Sequence, residues 1–438
     1  MKILEFNTFV YTDEQRNFLE GISAILDKYT EKELGTTEVL LQGFAGTGKS
    51  SIATNVIQYR NYLKLNKQTI LDGTIVLAPT NKAVQVLSNK LKGIPCDLST
   101  LHLAIYGAPV INPETGEYEW KTQGIFENKL IIVDEASMID QSLLDDLRLI
   151  CKNCLIIYMG DEFQLEPVGK PNDLKKLEIK FFLTEVKRQD NTILNLATKI
   201  RSTRRNIYYN QSTEDINIVS EQKDFLSNYI SAFKENDDSV IIVATNDLRN
   251  QLNNYARELL DRKDILVPGD KLLSIANSTG NSNGDLISVE HCQFITEVDI
   301  AVLNYDKYVD LKLYLYIINN EPSIFIKDYN KPSLYHNEIQ RAINKEKILE
   351  YDQYTKFYMN SEGELVTDRT KLGKQVNIFT YGYCISCHKS QGSEFNNVFV
   401  YQNYKAPTWD GAKWFYTAIT RSKNKLTILP NKKLQIGL

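Results

Sequence analysis

Short apolar runs recur at intervals along the first 190 residues: Val39 to Leu41, then TIVLA from Thr74, LIIV from Leu130 and LIIYM from Leu155. Runs of this length without polar alternation read as strands buried on both faces, the habit of a parallel sheet. The stretches between them, such as SIATNVIQYR after Gly48-Lys49-Ser50-Ser51, read as helices. Strands alternating with helices predict a doubly wound α/β domain. From about residue 288 to 375 the pattern changes. KLYLYIINN and SIFIK alternate apolar and polar positions, which predicts short antiparallel strands. A further apolar run, Val240 to Val243, precedes this stretch; NNVFVY and KLTILP follow it, and Val376 to Ile385 reads as one more strand.

A chain of 438 residues is too long for one ordinary core and implies two or three domains. With 42% hydrophobic and 24% charged residues it sits near the globular average. No run of eighteen apolar residues occurs and MKILEFNTFVYTDEQ lacks a secretory pattern, so a cytoplasmic location is expected. The net charge of −4 gives no general attraction to nucleic acid, so such a partner must be held in a local groove.

Cys384-Ile-Ser-Cys387-His388 has the spacing of a c-type haem attachment, and Cys151 with Cys154 forms a second Cys-x-x-Cys pair. A cytoplasmic setting argues against haem and disulfides. The two pairs lie too far apart in the chain for a zinc ribbon, so reduced, non-ligating thiols are expected.

The sharpest local signal is Gly43-Phe-Ala45-Gly46-Thr47-Gly48-Lys49-Ser50, with Ser51 next, between a strand and a helix. It has the G-x-x-x-x-G-K-S/T spacing of a phosphate loop, whose backbone N–H groups face phosphate oxygens while Lys49 adds charge and Ser50 can hold Mg²⁺. Such a site needs a carboxylate at the end of a neighbouring strand. Asp134 and Glu135 supply it, Asp134 for the metal and Glu135 for the attacking water. Gln164, beyond the third strand, can sense a γ-phosphate through its neutral amide. ATP and Mg²⁺ are the cofactors expected.

The order QGFAGTGKSS, VLAPTNKAV, STLH, IIVDEASMI, GDEFQLEPV, LTEVKRQD, HKSQGSEF and YTAITRSKNKL resembles the motif series of superfamily 1 helicases, and within it the RecD-like 5'-to-3' branch, superfamily 1B. That resemblance implies two RecA-like doubly wound domains with ATP between them and single-stranded DNA across their top. It implies a first domain over 1–189, a second over 190–287 and 376–438, and a small SH3-like insertion over 288–375. Gln15 matches a position that reads adenine, although Thr12-x-x-Gln15 is also a capping box. Arg188 and Arg421 match arginines that reach the γ-phosphate, and Gln391 and Gly392 turn toward it as well. Pro79, Thr80, Asn81, Thr100, His102, Thr245, Asn246, Ser386 and His388 match positions that touch the DNA backbone. Hydroxyls, amides and imidazole bond phosphate oxygens without enforcing a sequence.

Asn112-Pro-Glu-Thr-Gly116, between alternating segments, reads as a β-hairpin within 103–129. In the family a hairpin here is a pin that splits duplex DNA, with Trp120 or Tyr118 stacking on the junction; an aromatic that packs the hairpin onto its domain is the competing explanation. The implied partners are single-stranded DNA and its junctions with duplex, together with replication or single-strand-binding proteins, and the implied state is a monomer. The rival readings are a DNA-stimulated ATPase that remodels complexes without unwinding, a 3'-to-5' helicase, and a P-loop metabolite kinase.

Overall fold

The computed structural model describes the chain outside residues 1, 7–8, 31–34, 108–109, 112–117, 120–121, 123, 168, 186–191, 236–237, 276–280, 282, 305–306, 328–356, 360–364, 368–376, 405–408 and 433–438. It divides into two compact units. The first comprises 1–110, 119–205 and 412–420; the second comprises 111–118, 206–411 and 421–438.

The first unit is built on six strands, β1 (Thr37–Gly43), β2 (Thr74–Ala78), β3 (Asp97–Thr100), β4 (Leu130–Val133), β5 (Leu155–Gly160) and β6 (Ile179–Leu183). They run parallel in the order β6-β1-β5-β4-β2-β3. Every residue of β2, β4 and β5 is buried, as the unbroken apolar runs require. Successive side chains leave opposite faces, and two cores result. Leu41, Leu130 and Ile132 pack with Phe18, Leu19 and Val56 of the helices α1 (Asp13–Leu26) and α2 (Lys49–Leu65). Leu40, Ile131 and Val133 pack on the other face with Leu143, Leu144 and Leu147 of a helix over Gln141–Ile150. A helix at Thr192–Thr203, burying Ile193, Leu196, Ala197 and Ile200, also belongs to this unit, so its boundary lies at Arg205 instead of the expected 189.

In the second unit β7 (Ile216–Ile218), β8 (Ser239–Val243), β9 (Cys384–Ser386), β10 (Phe395–Tyr401) and β11 (Ser422–Leu429) form a parallel sheet in the order β7-β11-β10-β8-β9. A six-stranded mixed sheet interrupts it. Its hairpin, Cys292–Asn304 with Lys307–Ile318, lies in the alternating region and is antiparallel, but its strands of 13 and 12 residues are longer than the short ones expected there. It also recruits Lys271–Ser274, Leu286–Ser288 and Asn377–Tyr381, so the insertion expected at 288–375 extends to both sides of those bounds.

The expected single strand from Val376 to Ile385 is two strands in different sheets. Asn377–Tyr381 pairs with Lys271–Ser274, whereas Cys384–Ser386 pairs with β8. Gly382 makes the crossing. A Cβ there would stand 2.7 Å from the Leu272 carbonyl carbon and 2.9 Å from the Leu273 nitrogen, both backbone atoms that cannot step aside. Gly382→Ala is expected to destabilise this unit by about 1–3 kcal/mol, seen as a lower denaturant midpoint at unchanged slope. No helix among the described residues is long and apolar enough to cross a membrane.

Candidate nucleotide and nucleic-acid site

In the first unit the residues singled out from the sequence gather at the C-terminal ends of the parallel strands, where open α/β sheets bind ligands. β1 ends in the loop Gly43 to Gly48, and Gly46 and Gly48 take left-handed angles, φ 81° and 84°, that side chains avoid. The Lys49 ammonium donates to the Gly43 carbonyl at 2.5 Å and the Phe44 carbonyl at 3.1 Å. The Thr47 hydroxyl donates to Phe44 and is buried, while Ser50 Oγ accepts from Lys90 Nζ at 3.4 Å. Ser51 is exposed on the first turn of α2, its N–H donating to Gly48.

Gln15 lies buried beneath this loop. Its Oε1 accepts from the Thr12 N–H at 3.2 Å, closing the capping box, and its Nε2 donates to the Thr47 carbonyl at 2.8 Å. Both ends of the amide are therefore engaged by this chain, making Gln15 a brace between α1 and the loop.

Beyond β4, the Asp134 N–H donates to Leu77 and Glu135 donates its N–H to Asp134 Oδ1 at 3.0 Å. Glu135 adopts φ 50°, a left-handed angle that is uncommon for a residue with a side chain and marks local strain. Burial, and secondly the Glu135 charge, push the Asp134 carboxyl up to about 6, against the pull of Lys49 and Lys90. Two adjoining carboxylates and the Ser50 hydroxyl are hard oxygen donors suited to Mg²⁺, and a divalent charge would offset the repulsion that raises Asp134. Beyond β5, Gln164 is buried and its Oε1 has no hydrogen-bond partner among the described residues, an unmet acceptor of the kind a bound water satisfies.

The same edge continues in hydroxyl groups. Thr80 follows β2 with Pro79 and caps the helix Asn81–Lys90, its Oγ1 accepting from Ala83 N–H; Thr100 ends β3 and caps Leu101–Tyr106 by accepting from Leu103 N–H. Ala78 and Thr100 are register partners, so these caps stand side by side. Capping uses an oxygen lone pair and leaves each O–H proton available to a phosphate oxygen. His102 is exposed one residue into its helix. From β1 to β3 the edge spans four strand spacings, roughly 19 Å, phosphate chemistry at one end and capping hydroxyls at the other.

The second unit also sets hydroxyl residues just beyond its strand ends, without the capping hydrogen bonds of the first. Val243 and Ser386 are register partners on β8 and β9. Thr245, the N-cap of α3 (Asn246–Leu259), and Ser386, the N-cap of the turn Cys387–Ser390, follow those strand ends; Asn246 opens α3. His388 is exposed, Gln391 is buried, and Gly392 has φ 73°. Arg421, also buried, donates from Nη1 to the Ser393 carbonyl at 3.3 Å. Arg188 and Trp120 lie outside the described residues. Tyr118 falls within the short strand Tyr118–Glu119, and its side chain lies outside them too.

The Cys-x-x-Cys-His match resolves into packing. Cys384 and Cys387 are buried, burial raises both thiols, Cys387 to about 12, and Cys384 belongs to the hydrophobic core. Among the described residues no group of three or more His, Cys, Asp or Glu is disposed to hold a metal by itself.

Several participants were not legible in the sequence. Buried Asn253 accepts from the Cys384 N–H at 2.8 Å and donates to the Tyr381 and Cys384 carbonyls at 3.3 and 3.1 Å, clamping the strand that leads into Ser386 and His388. Lys389 donates to Asn283 at 2.6 Å; burial, and then the nearby Arg249 charge, pull its ammonium down to about 8. An asparagine inside a helix leaves no periodic signal, since its role depends on what packs opposite.

A family profile described as an AAA domain matches residues 30–221, and one described as a UvrD-like helicase C-terminal domain matches 381–429. The chain is 30% identical over 275 residues to the ATP-dependent DNA helicase Dda of Enterobacteria phage T4, covering 58% of this chain and 59% of that one. It is 23% identical over 462 residues to the RecBCD subunit RecD of Haemophilus influenzae, covering 90% and 67%. Among solved structures, one of Pif1 helicases at forked duplex DNA aligns with a TM-score of 0.50 and 18% identity, covering 98% of this chain and 94% of that chain, a likeness of fold.

Proposed function

We propose, from its motif series and its similarity to Dda and RecD, that this chain is a superfamily 1 helicase of the RecD-like branch that hydrolyses ATP to move 5'-to-3' along single-stranded DNA and part the duplex ahead. The observation that carries this reading is the shared strand-end edge of the first unit, with phosphate-loop chemistry on β1, β5 and β4 and capping hydroxyls on β2 and β3. In this reading the loop N–H groups and Lys49 hold the triphosphate, the ammonium exchanging loop carbonyls for phosphate oxygens. Ser50 and Asp134 would hold Mg²⁺, which when bound supplies charge to the β- and γ-phosphate oxygens. Glu135 accepts the proton of the attacking water and Gln164 orients that water through its unmet Oε1. Arg188 and Arg421 offset charge gathering on the transferring phosphoryl group. Thr80, Thr100, Thr245, Ser386 and His388 hold backbone phosphates without reading bases. Contacts of this neutral kind account for DNA binding by a chain of net charge −4.

Unwinding of a forked duplex carrying either a 5' or a 3' single-stranded tail tests activity and polarity together. Unwinding from the 5' tail only, dependent on ATP, is expected. Unwinding from the 3' tail alone would reverse the polarity, and DNA-stimulated hydrolysis without strand separation would favour the remodelling ATPase. Replacing Tyr118 and Trp120 together by alanine is expected to abolish strand separation and spare DNA-stimulated hydrolysis. Full unwinding by that variant would remove the pin assignment.

A further inference from the structure

One buried side chain bonded to the phosphate loop belongs to none of the roles above. Tyr416 lies in the helix Trp409–Ile419 and is 1% exposed. Its hydroxyl accepts from the Ala45 N–H of the phosphate loop at 3.1 Å and donates to Asp161 Oδ2 at 2.6 Å. The direction is forced, because an amide can only donate and a phenol has one proton to give. Asp161 in turn accepts from the Phe163 N–H at 3.0 Å and opens the segment that carries Gln164. Thr417, next on the helix, accepts from the Leu165 N–H at 3.0 Å, and Lys413 pairs with Glu166. Residues 413, 416 and 417 share one helix face, so that face is fastened to 161–166 three times over.

The loop itself is gripped from the side. The Arg201 guanidinium lies 3.3 Å from the centroid of the Phe44 ring, and Phe163 meets the same ring edge-on at 5.5 Å. Ala45, Asp161, Gln164, Arg201 and Tyr416 all belong to the first unit, and Arg421 follows Thr417 by four residues along the chain. Packed, hydrogen-bonded interiors pass displacements on because they resist compression.

We propose that Tyr416 is a positioning residue that couples the phosphate loop to Gln164 and to the helix leading into Arg421. A displacement of the Ala45 N–H as phosphate settles in the loop pulls on the phenol, and through it on Asp161 and the whole helix face. Tyr416 touches no phosphate itself. Its contribution is to make the orientation of the hydrolytic water depend on the loop, and it rests on the helicase reading above.

Steady-state ATP hydrolysis by the full chain, with and without single-stranded DNA, tests this in Tyr416→Phe, Asp161→Asn and the double variant. Removing one oxygen from Tyr416 keeps the ring and its packing. The expected result is a fall of about tenfold or more in DNA-stimulated kcat with KM for ATP within about threefold of wild type. The double variant is expected to be no worse than the more impaired single, since both changes break one linkage. A lowered Tm with wild-type kcat would assign Tyr416 to stability alone and overturn the proposal, as would additive losses in the double variant. If Tyr416→Phe fails to fold, wild-type DNA-stimulated kcat in Asp161→Asn overturns it equally. Absence of DNA stimulation in the wild-type protein would instead overturn the helicase reading on which the proposal stands.

Discussion

Glu135→Gln is expected to lower kcat for ATP hydrolysis by about 10²- to 10⁴-fold, the range for removing a general base, while nucleotide affinity stays within a few fold. The substitution is nearly isosteric, and the backbone N–H that Glu135 donates to Asp134 survives it. What disappears is the proton acceptor at the end of β4 and one negative charge beside Asp134. The variant therefore separates binding from chemistry. Titration with a fluorescent ATP analogue and steady-state kinetics check the two halves. Hydrolysis within tenfold of wild type would move the base elsewhere.

Asp134→Asn is expected to lower hydrolysis by at least about 100-fold, since loss of the metal's carboxylate forfeits several kcal/mol of charge stabilisation. It should also make the protein more stable at pH 8. The sign follows from the raised carboxyl. A group whose folded value, about 6, exceeds its ordinary value of 3.8 favours folding most below pH 4, and this contribution is lost as pH rises through 6. Above pH 6 the ionised, partly buried Asp134 is a cost that asparagine does not carry. The gain is on the order of 1 kcal/mol once solvent screening is allowed for. A Tm difference that grows from pH 4 to pH 8, measured without added divalent cation, checks it. Equal Tm at both values would mean that Asp134 titrates as an ordinary surface carboxylate.

These two variants bear on a general feature of the site. This strand-end edge concentrates strain and repulsion, in the left-handed Glu135 and the raised Asp134, and the fully buried strands β2, β4 and β5 hold it in place. Local strain of this kind survives only where the surrounding packing over-determines it.

Phosphate-loop residues were legible because their task is local. Gly46 and Gly48 must adopt positive φ, Lys49 must follow, and a strand and a helix must flank them, so the spacing of a few letters carries the requirement. Parallel strands were legible for a related reason: burial on both faces leaves an unbroken apolar run. Where a run crosses between sheets, the pattern misleads. Val376 to Ile385 reads as one strand because both halves are apolar, and the close approach that makes Gly382 the crossing point involves Leu272 and Leu286, a hundred residues away. The boundary at Arg205 was missed similarly, since an amphipathic helix does not announce which sheet its apolar face will cover.

By itself, then, the amino-acid sequence determined the local chemistry: the phosphate cradle, the carboxylates at strand ends and the order of motifs that resembles the superfamily 1 helicase series. Tertiary structure alone decided which partners the buried polar side chains around those motifs would meet. Gln15 becomes a brace beneath Thr47, Asn253 a clamp on Cys384 and Tyr416 a link between Ala45 and Asp161. The physical reason is the same in each case. A buried polar side chain is defined by the partner that satisfies it, and the partners of Tyr416 lie 371 and 255 residues away along the chain.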